Sequence, residues 1–242
     1  MIYVISDLHG FPFEKTQKLL SKVNFNGDDF LYVLGDVIDR GDEGVQTLLW
    51  IMNQPNVELL LGNHEAMLLS CDFLFGKLTK DFIDSLDLDK MQLLNAWKEN
   101  GGKQTIRELL ALKPEVRLDI VDFLRDCRKF AFVTVGEKDY LLVHAGLGNY
   151  KKGKKLKEYY LDDLIWVRPE LEDNYADEFT TVFGHTPTIY YGREYKRRIV
   201  KTATWLDIDT GASCGLSPTL LRLDDGVAFT YDEQDQIIEY QV

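Results

Sequence analysis

Short apolar runs recur along this chain, and a polar motif directly follows most of them. Runs with the length and composition of β-strands span 2–5, 30–34, 57–61, 140–143, 180–183, 205–208, 219–223 and 227–231. The early runs are almost continuously apolar, as expected for strands that are buried on both faces of a sheet. Helical patterns at 14–22 and 43–53 separate the first three runs. This alternation predicts βαβ units and a parallel sheet.

The region from about 66 to 128 is expected to be mostly helical. Its apolar residues recur at helical spacing at Phe82, Ile83, Leu86, Leu93, Leu94, Trp97, Ile106, Leu109, Leu110 and Leu112. We expect an inserted helical segment that either only covers the core or also shapes a substrate groove. The strand-rich sequence after His185 indicates a second sheet. The expected fold is α/β (α+β), with two sheets flanked by helices in a single domain over 1–242.

The charge balance limits the partners of this chain. A net charge of −12 over 242 residues argues against non-specific binding to nucleic acid or to an anionic membrane. Three cysteines form no CxxC pair, which suits a reducing compartment. The chain has no basic leader and no apolar run of about 18 residues. We therefore expect a soluble, cytoplasmic protein.

All four histidines of the sequence follow strand-like runs and stand in motifs with Asp, Asn or Gly. They are His9, His64, His144 and His185. Open α/β sheets place their sites at the C-terminal ends of strands, so we expect these residues to converge on one cleft. Taken singly, each of the last two histidines also fits an ordinary core position. Their shared context at strand ends favours a common site.

The first motifs offer metal ligands of mixed type. Asp7 and His9 are spaced i, i+2, which places both side chains on one side of an extended backbone. Their oxygen and nitrogen donors suit Mn, Fe or Zn more than Ca. Asp36 follows the second run after a single glycine, and its carboxylate could bridge two metals. Asn63 could add a carbonyl ligand.

Other residues of these motifs suit catalysis better than metal binding. Arg40 offers a planar fork for phosphate oxygens, although an arginine on an acidic turn is the alternative interpretation. His64 stands beside Asn63 and could donate a proton to a leaving oxygen. The alternative is a plain residue at a helix N-terminus. Asp39 could orient His64 and raise its pKa.

The five motifs DxHG, GDxxDRG, GNHE, HAG and GHT, in this order, resemble the metallophosphoesterase superfamily and, within it, the phosphoprotein phosphatase family. The segments 97–102, 165–168, 183–187 and 208–212 extend the resemblance to bacterial and phage-type serine/threonine protein phosphatases. The similarity spans about residues 1–223. It implies the calcineurin-like fold, in which two mixed β-sheets form a sandwich flanked by helices. Ser6 departs from the glycine more common at that position, which is not a ligand.

The resemblance implies a centre of two divalent metals that share a hydroxide. Manganese is the expected ion, with iron or zinc as alternatives. The implied ligands are Asp7 and His9 for the first metal, Asp36 as the bridge, and Asn63, His144 and His185 for the second metal. Arg40 and Arg168 would bind the phosphate. His64, paired with Asp39, would be the general acid.

The substrate class stays open between two enzymes with the same site. One is a serine/threonine protein phosphatase that acts on a phosphorylated protein or peptide. The other is a bis(5'-nucleosyl)-tetraphosphatase or another nucleotide phosphoesterase. Symmetrical tetraphosphatases tend to lack the Asp of DRG and to read GNHD, so Asp39 and Glu65 favour the protein phosphatase. Intact ligand positions argue against a binding module on an inactive scaffold, and the acidic balance argues against a nuclease.

Two basic clusters follow the last two histidine motifs. They are Lys151, Lys152, Lys154, Lys155 and Lys157, and then Arg193, Lys196, Arg197, Arg198 and Lys201. Both clusters are expected to leave the sheet near the cleft, where they could attract phosphorylated substrates. The alternative is that they form solvated loops or a twisted edge strand.

Overall fold

The computed structural model describes residues 1–76 and 87–242, and two β-sheets form its centre. The strands are β1 (Ile2–Ile5), β2 (Phe30–Val33), β3 (Val57–Leu59), β4 (Phe130–Val135), β5 (Lys138–Val143), β6 (Thr180–Phe183), β7 (Val200–Lys201), β8 (Trp205–Asp207), β9 (Leu220–Arg222), β10 (Val227–Tyr231) and β11 (Ile237–Gln241). The first sheet has the order β11-β10-β9-β1-β2-β3, and the second has the order β4-β5-β6-β8-β7. Both sheets mix parallel and antiparallel pairs.

Helices connect and cover these sheets. They are α1 (Phe13–Lys22), α2 (Gly44–Met52), α3 (Asn63–Ser70), α4 (Leu88–Trp97), α5 (Lys103–Ala111), α6 (Pro114–Asp126) and α7 (Asp162–Ile165). A π-helical turn, Lys98–Gly102, joins α4 to α5. Helices α1 and α2 are the crossovers between the parallel strands β1, β2 and β3. In the described ranges, no helix combines the length and apolarity needed to cross a bilayer.

Alternation along the strands divides the apolar core into layers. Val4 of β1 faces the space between the sheets, where it joins Leu142 and Leu206 of the second sheet. Its neighbours Tyr3 and Ile5 point to the opposite face and pack with the residues of the helical layer. Full burial of one such side chain contributes about 1.5–3 kcal/mol. The period-two pattern therefore orients the strands and fixes which ends meet.

The predicted two-sheet fold with flanking helices is confirmed, as are the eight predicted strands with shifts at their ends. Three observed strands were missed: β4, β7 and β11. Each lies at the edge of its sheet or pairs with one neighbour only. An edge strand can leave alternate side chains in water, and Phe132 of β4 is 54% exposed. Such strands lack the continuous apolar signal of the central ones.

The helical segment appears as α3 to α6 in the described part of the chain. Of its predicted apolar positions, Trp97 and Leu109 are buried, whereas Leu93 and Leu110 are exposed. The predicted positions Phe82, Ile83 and Leu86 lie outside the described residues. Helix α4 begins with Asp87, whose carboxylate accepts the Lys90 backbone N–H at 2.9 Å. Such a cap satisfies a free helical N–H donor.

Candidate metal centre

Unfavourable backbone conformations mark the loops that follow the strands. Asp7, His9, Asp36, Asp39 and His185 have positive φ angles of 51°, 45°, 54°, 73° and 69°. A non-glycine residue in this left-handed region costs on the order of 1–3 kcal/mol and persists only where its surroundings hold it. All five residues belong to the motifs singled out in the sequence. These strained conformations therefore lower the stability of the fold, and they direct the five side chains towards one site.

Asp36 lies at the centre of this arrangement. Its Oδ2 is 3.5 Å from Nε2 of His9, and its Oδ1 is 3.5 Å from Nε2 of His144. Two groups of side chains could each hold a metal ion: His9, Asp36 and His64 form one, and Asp36, His144 and His185 form the other. Within each group the donor atoms lie within 4.8 Å of one another. Asp36 is common to both, as a bridging ligand would be.

The other predicted ligands surround Asp36. Asp7 Oδ1 lies 3.9 Å from His9 Nε2, and its Oδ2 accepts the backbone N–H of His185 at 2.9 Å. Asn63 Oδ1 lies 2.8 Å from His144 Nε2. These contacts join the ends of both sheets. The structure thus brings the predicted ligands together, including pairs that are 178 and 81 residues apart in sequence.

Buried atoms without partners show that these residues fit a pair of metal ions. Asp7 Oδ1 and His185 Nε2 are buried and have no hydrogen-bond partner among residues 1–76 and 87–242. Buried polar atoms nearly always have a hydrogen-bond partner, so these two atoms are suited to bind a metal ion instead. Nδ1 of His9 and Nδ1 of His144 lie 3.2 Å and 2.7 Å from the carbonyl oxygens of Ile38 and Leu34. A proton on each Nδ1 leaves Nε2 free to bind metal.

Electrostatics supports the same conclusion. Burial, with the nearby charges of Asp7 and Glu65, raises the pKa of Asp36 well above its ordinary value. Burial likewise raises the pKa of Asp7 and lowers the pKa of His185 to about 2. Close buried carboxylates repel one another, and neutral imidazoles add no compensating charge. A divalent cation would supply that charge, since it is commonly the largest local charge in such a site.

Glu65 holds the Asp36 loop against helix α3. It is fully buried, and its carboxylate accepts the backbone N–H groups of Asp36 (2.8 Å), Val37 (2.9 Å) and Gly62 (3.2 Å). The His64 backbone N–H in turn donates to Asp36 Oδ1 at 3.0 Å. In the sequence, Glu65 served only to separate two related enzymes. Its structural role is to fix the Asp36 loop relative to His64.

His64 and Asp39 form a buried pair. Nδ1 of His64 lies 2.6 Å from Asp39 Oδ2, and neither residue is more than 1% exposed. Burial raises the pKa of Asp39 to about 6. Burial and the charge of Arg40 lower the pKa of His64 to about 2, so the predicted rise was wrong. The carboxylate orients the ring, but desolvation outweighs its charge.

The helical segment supplies residues that sequence reasoning missed at this pair. Trp97 Nε1 donates to Asp39 Oδ2 at 2.8 Å, and Thr105 Oγ1 donates to Asp39 Oδ1 at 2.5 Å. Trp97 was predicted only as an apolar position on a helix. A buried indole usually finds an acceptor for its N–H, and that was the available signal. The segment therefore positions the site and does more than cover the core.

The π-helical turn also approaches the site. Gly101 has a φ of 108°, and its carbonyl accepts the Arg40 backbone N–H at 3.2 Å. A Cβ added at Gly101 would lie 2.7 Å from Arg40 Cγ. Only glycine allows this close approach without strain. Gly101 thus helps to position Arg40.

Both predicted arginines border the cavity that contains His9, Asp36, His64 and His185, which has a volume of about 370 Å³. Arg40 Nη2 lies 3.2 Å from His64 Nε2. Arg168 Nη1 donates to the carbonyl of His185 at 3.2 Å. Exposed aromatic side chains, Trp166 and Tyr190, also line this cavity. The sequence analysis did not single out these two rings as site residues.

The two basic clusters differ in their positions. Lys152, Lys154 and Lys155 line a separate cavity with aromatic residues, and that cavity contains none of the predicted site residues. Arg197 of the second cluster lines a groove together with His9 and Arg40. The expectation that both clusters reach the catalytic cleft thus has direct structural support only at Arg197.

Residues 1–210 match the family model of the calcineurin-like phosphoesterases. A symmetrical bis(5'-nucleosyl)-tetraphosphatase of Chromobacterium violaceum is 31% identical over 77% of this chain, which spans only 57% of that relative. Serine/threonine-protein phosphatase 2 of Salmonella typhimurium is 28% identical over 88% of both proteins.

Solved structures show the same fold. A protein provisionally classified as a diadenosine tetraphosphatase has a structure that matches this one with a TM-score of 0.60 at 16% identity. The match covers 99% of this chain and 92% of that protein's chain. A cold-active protein-tyrosine phosphatase of a psychrophilic Shewanella species has a TM-score of 0.54 at 15% identity, covering 99% and 80%. Members of the matching family use a dinuclear metal site, and the histidines and aspartates described above could form one. This chain belongs to the calcineurin-like phosphoesterase family.

Proposed function

We propose that this protein is a metal-dependent serine/threonine protein phosphatase that hydrolyses phosphate monoesters, with manganese as its activating ion. Asp7 and His9 would hold one ion, and Asp36 would bind both ions. The other ligands of the second ion would be Asn63, His144 and His185. Bound together, two divalent ions activate water and stabilise charge on the phosphate. The buried Asp39–His64 pair is the observation that carries this proposal over its alternative.

The arginines bind and orient the phosphate. Arg40 and Arg168 both border the catalytic cavity, and their guanidinium groups can each donate two parallel hydrogen bonds to phosphate oxygens. Arg40 now lies beside His64 Nε2 and lowers its pKa. A bound phosphate would draw the charge of Arg40 to itself and add negative charge near His64. The pKa of His64 would then rise, and Nε2 could carry the proton that the leaving oxygen needs.

The leaving group explains why this pair favours a phosphate monoester. A serine or threonine alkoxide is a strong base and must be protonated as its bond to phosphorus breaks. Symmetrical cleavage of a dinucleoside tetraphosphate releases a nucleoside diphosphate, which is stable as an anion. A general acid is therefore of little use in that reaction. The chain nevertheless holds His64 to Asp39 at 2.6 Å and secures Asp39 with Trp97.

A bis(5'-nucleosyl)-tetraphosphatase is the second candidate. The tetraphosphatase of Chromobacterium violaceum is 31% identical over 77% of this chain, which favours it. The chain spans only 57% of that relative, but it spans 88% of the Salmonella phosphatase. The two candidates share the metal centre and differ in what leaves the phosphorus.

A direct substrate comparison tests the proposal. Metal-stripped protein is assayed with and without manganese, for phosphate release from a phosphoserine or phosphothreonine peptide and for ADP formation from diadenosine tetraphosphate. We expect manganese-dependent release from the peptide while the dinucleotide stays intact. Cleavage of the dinucleotide alone would replace the proposal with the second candidate. Activity on neither substrate despite bound metal would refute both.

A further inference from the structure

A second groove opens beside the catalytic cavity. Its volume is about 520 Å³, and it shares His9 and Arg40 with the cavity that holds the candidate metal centre. Lys15 and Arg197 line the rest of the groove together with several carboxylates. A substrate whose phosphate lies at the metal centre would therefore place its neighbouring groups in this groove. The charged residues of its walls then decide which neighbours fit.

Arg197 is held by hydrogen bonds to uncharged groups and forms no direct ion pair in the described part of the chain, although its charge, after that of Lys196, helps to lower the pKa of Glu233. Its backbone is left-handed, with a φ of 60°, and its Nη1 donates to the Tyr231 carbonyl at 3.0 Å and to Ser217 Oγ at 3.4 Å. Its Nε is buried and donates to no acceptor in the part of the chain that the structure describes. Among the described residues, no carboxylate lies within ion-pairing distance of its guanidinium. The side chain is thus fixed with part of its donor capacity unused.

The acidic groups of the same groove already have partners. Glu233 pairs with Lys196 at 2.8 Å, and Asp235 pairs with Lys15. Asp232 Oδ1 accepts the backbone N–H groups of Gln234 and Gln236 at 2.9 Å and 2.8 Å. Arg197 is therefore a positive group beside Arg40 that makes no direct ion pair with the described residues, and Glu233 interacts with it only at longer range. That is notable in a protein with a net charge of −12.

We propose that Arg197 binds a second anionic group of the substrate, beside the phosphate that is hydrolysed. A planar guanidinium suits a carboxylate or a phosphate, and both offer paired oxygens. This inference rests on the proposed function and deepens it: the preferred phosphoserine or phosphothreonine carries an acidic neighbour. In a nucleotide, the same subsite would bind an adjacent phosphate. Arg197 thus selects substrates and takes no part in the bond-breaking step.

The next residue in the chain provides a matched control. The Arg198 guanidinium lies over the Tyr240 ring, 4.2 Å from its centroid, and Arg198 does not line the groove. Arg197→Ala and Arg198→Ala remove the same charge from neighbouring positions. A general loss of positive charge would affect both variants equally, whereas loss of the subsite would affect only the first.

The test measures kcat/KM of the manganese-loaded protein on two phosphoserine peptides that differ only in acidic or alanine neighbours. We expect the wild type to prefer the acidic peptide. Arg197→Ala should lower kcat/KM for that peptide about tenfold or more, chiefly through KM, because a charge-assisted hydrogen bond is lost. Activity on the alanine peptide and on p-nitrophenyl phosphate should stay unchanged. Arg197→Gln, which removes the charge but keeps a long polar side chain with N–H donors, should give the same selectivity with less risk of unfolding.

The outcomes separate this inference from the proposed function. If Arg197→Ala, Arg198→Ala and the wild type discriminate equally between the peptides, the subsite is refuted while the phosphatase stands. An equal loss on both peptides and on p-nitrophenyl phosphate would also refute it. If the wild type cleaves only diadenosine tetraphosphate, the proposed function fails. In that case a loss of dinucleotide cleavage in Arg197→Ala that Arg198→Ala does not show supports the subsite with a phosphate as its anion, and no loss refutes it.

Discussion

The candidate metal centre and the Asp39–His64 pair are positioned in different ways. The candidate ligands follow strands of both sheets, and one of them, Asn63, is also the first residue of helix α3. The Asp39–His64 pair depends more on helices, because α3 carries His64 while Trp97 and Thr105 of the helical segment hold Asp39. In the proposed function, strand ends therefore position most of the groups that would bind the metals, and helices position the group that would protonate a poor leaving group.

The largest expected effect comes from the bridging carboxylate. Asp36→Asn should lower kcat on every substrate about a thousandfold or more, because several kcal/mol of transition-state stabilisation is lost with the metals. Metal content, counted by elemental analysis, should fall in parallel. If the variant kept its metals and lost activity only on peptides, the distinction between the two regions would fail.

His64→Ala should affect substrates unequally. Loss of a general acid costs about a hundredfold to a thousandfold where the leaving oxygen needs a proton. We expect that loss on a phosphoserine peptide and a much smaller one on p-nitrophenyl phosphate, whose phenolate leaves readily. Steady-state kinetics on both substrates measures the ratio. Equal losses would remove His64 from the role of general acid.

Trp97→Phe and Thr105→Val should have smaller effects of the same kind. Trp97→Phe removes one hydrogen bond to Asp39, and Thr105→Val removes two, because Thr105 Oγ1 also accepts the Asp39 backbone N–H at 2.9 Å. Each substitution should slow peptide hydrolysis about threefold to tenfold, since the acid is then less well oriented. Thr47→Val is the control, because Thr47 is also buried but bonds to the Glu43 carbonyl in helix α2. Its kinetics should match the wild type. A slowing of p-nitrophenyl phosphate hydrolysis as large as that of the peptide would point to general misfolding.

The smallest expected effect concerns stability without metal. The folded-state pKa of Asp36 is raised, so its ionised form costs stability at every pH above the ordinary value of 3.8. Metal-free Asp36→Asn should therefore unfold a few degrees higher than the metal-free wild type at neutral pH. Manganese should raise the Tm of the wild type and leave the variant unchanged. If calorimetry found the metal-free variant less stable than the metal-free wild type, groups of the protein itself would stabilise the charge of Asp36 without metal.

The residues at strand ends could be predicted from the sequence, whereas the contacts made by the helical segment could not. Asp7, Asp36 and His185 are predictable because their residue type, strand end and motif are all local features. The contact of Trp97 with Asp39 spans 58 residues and depends on how a helical segment packs, so apolar spacing describes only its core position. The pKa of His64 was predicted in the wrong direction for a similar reason. Its acidic neighbour is visible in the sequence, whereas burial and the approach of Arg40 are not.

Edge strands show the same limit in the fold. Strand β1 is buried on both faces, so its continuous apolar sequence predicts it clearly. In contrast, β11 is an edge strand beside β10 and mixes polar and apolar residues. Its place depends on hydrogen bonds to a partner and not on its own burial. Sequence patterns therefore predict the centre of each sheet better than its margins.

The central claim is that the strand-end residues form a centre of two metals that acts in hydrolysis. It is tested most directly by titrating metal-free protein with manganese while phosphate release from a phosphoserine peptide and bound metal per chain are both measured. We predict that activity reaches its maximum only when two ions are bound per chain. Full activity with one ion bound, or with none, would contradict the account.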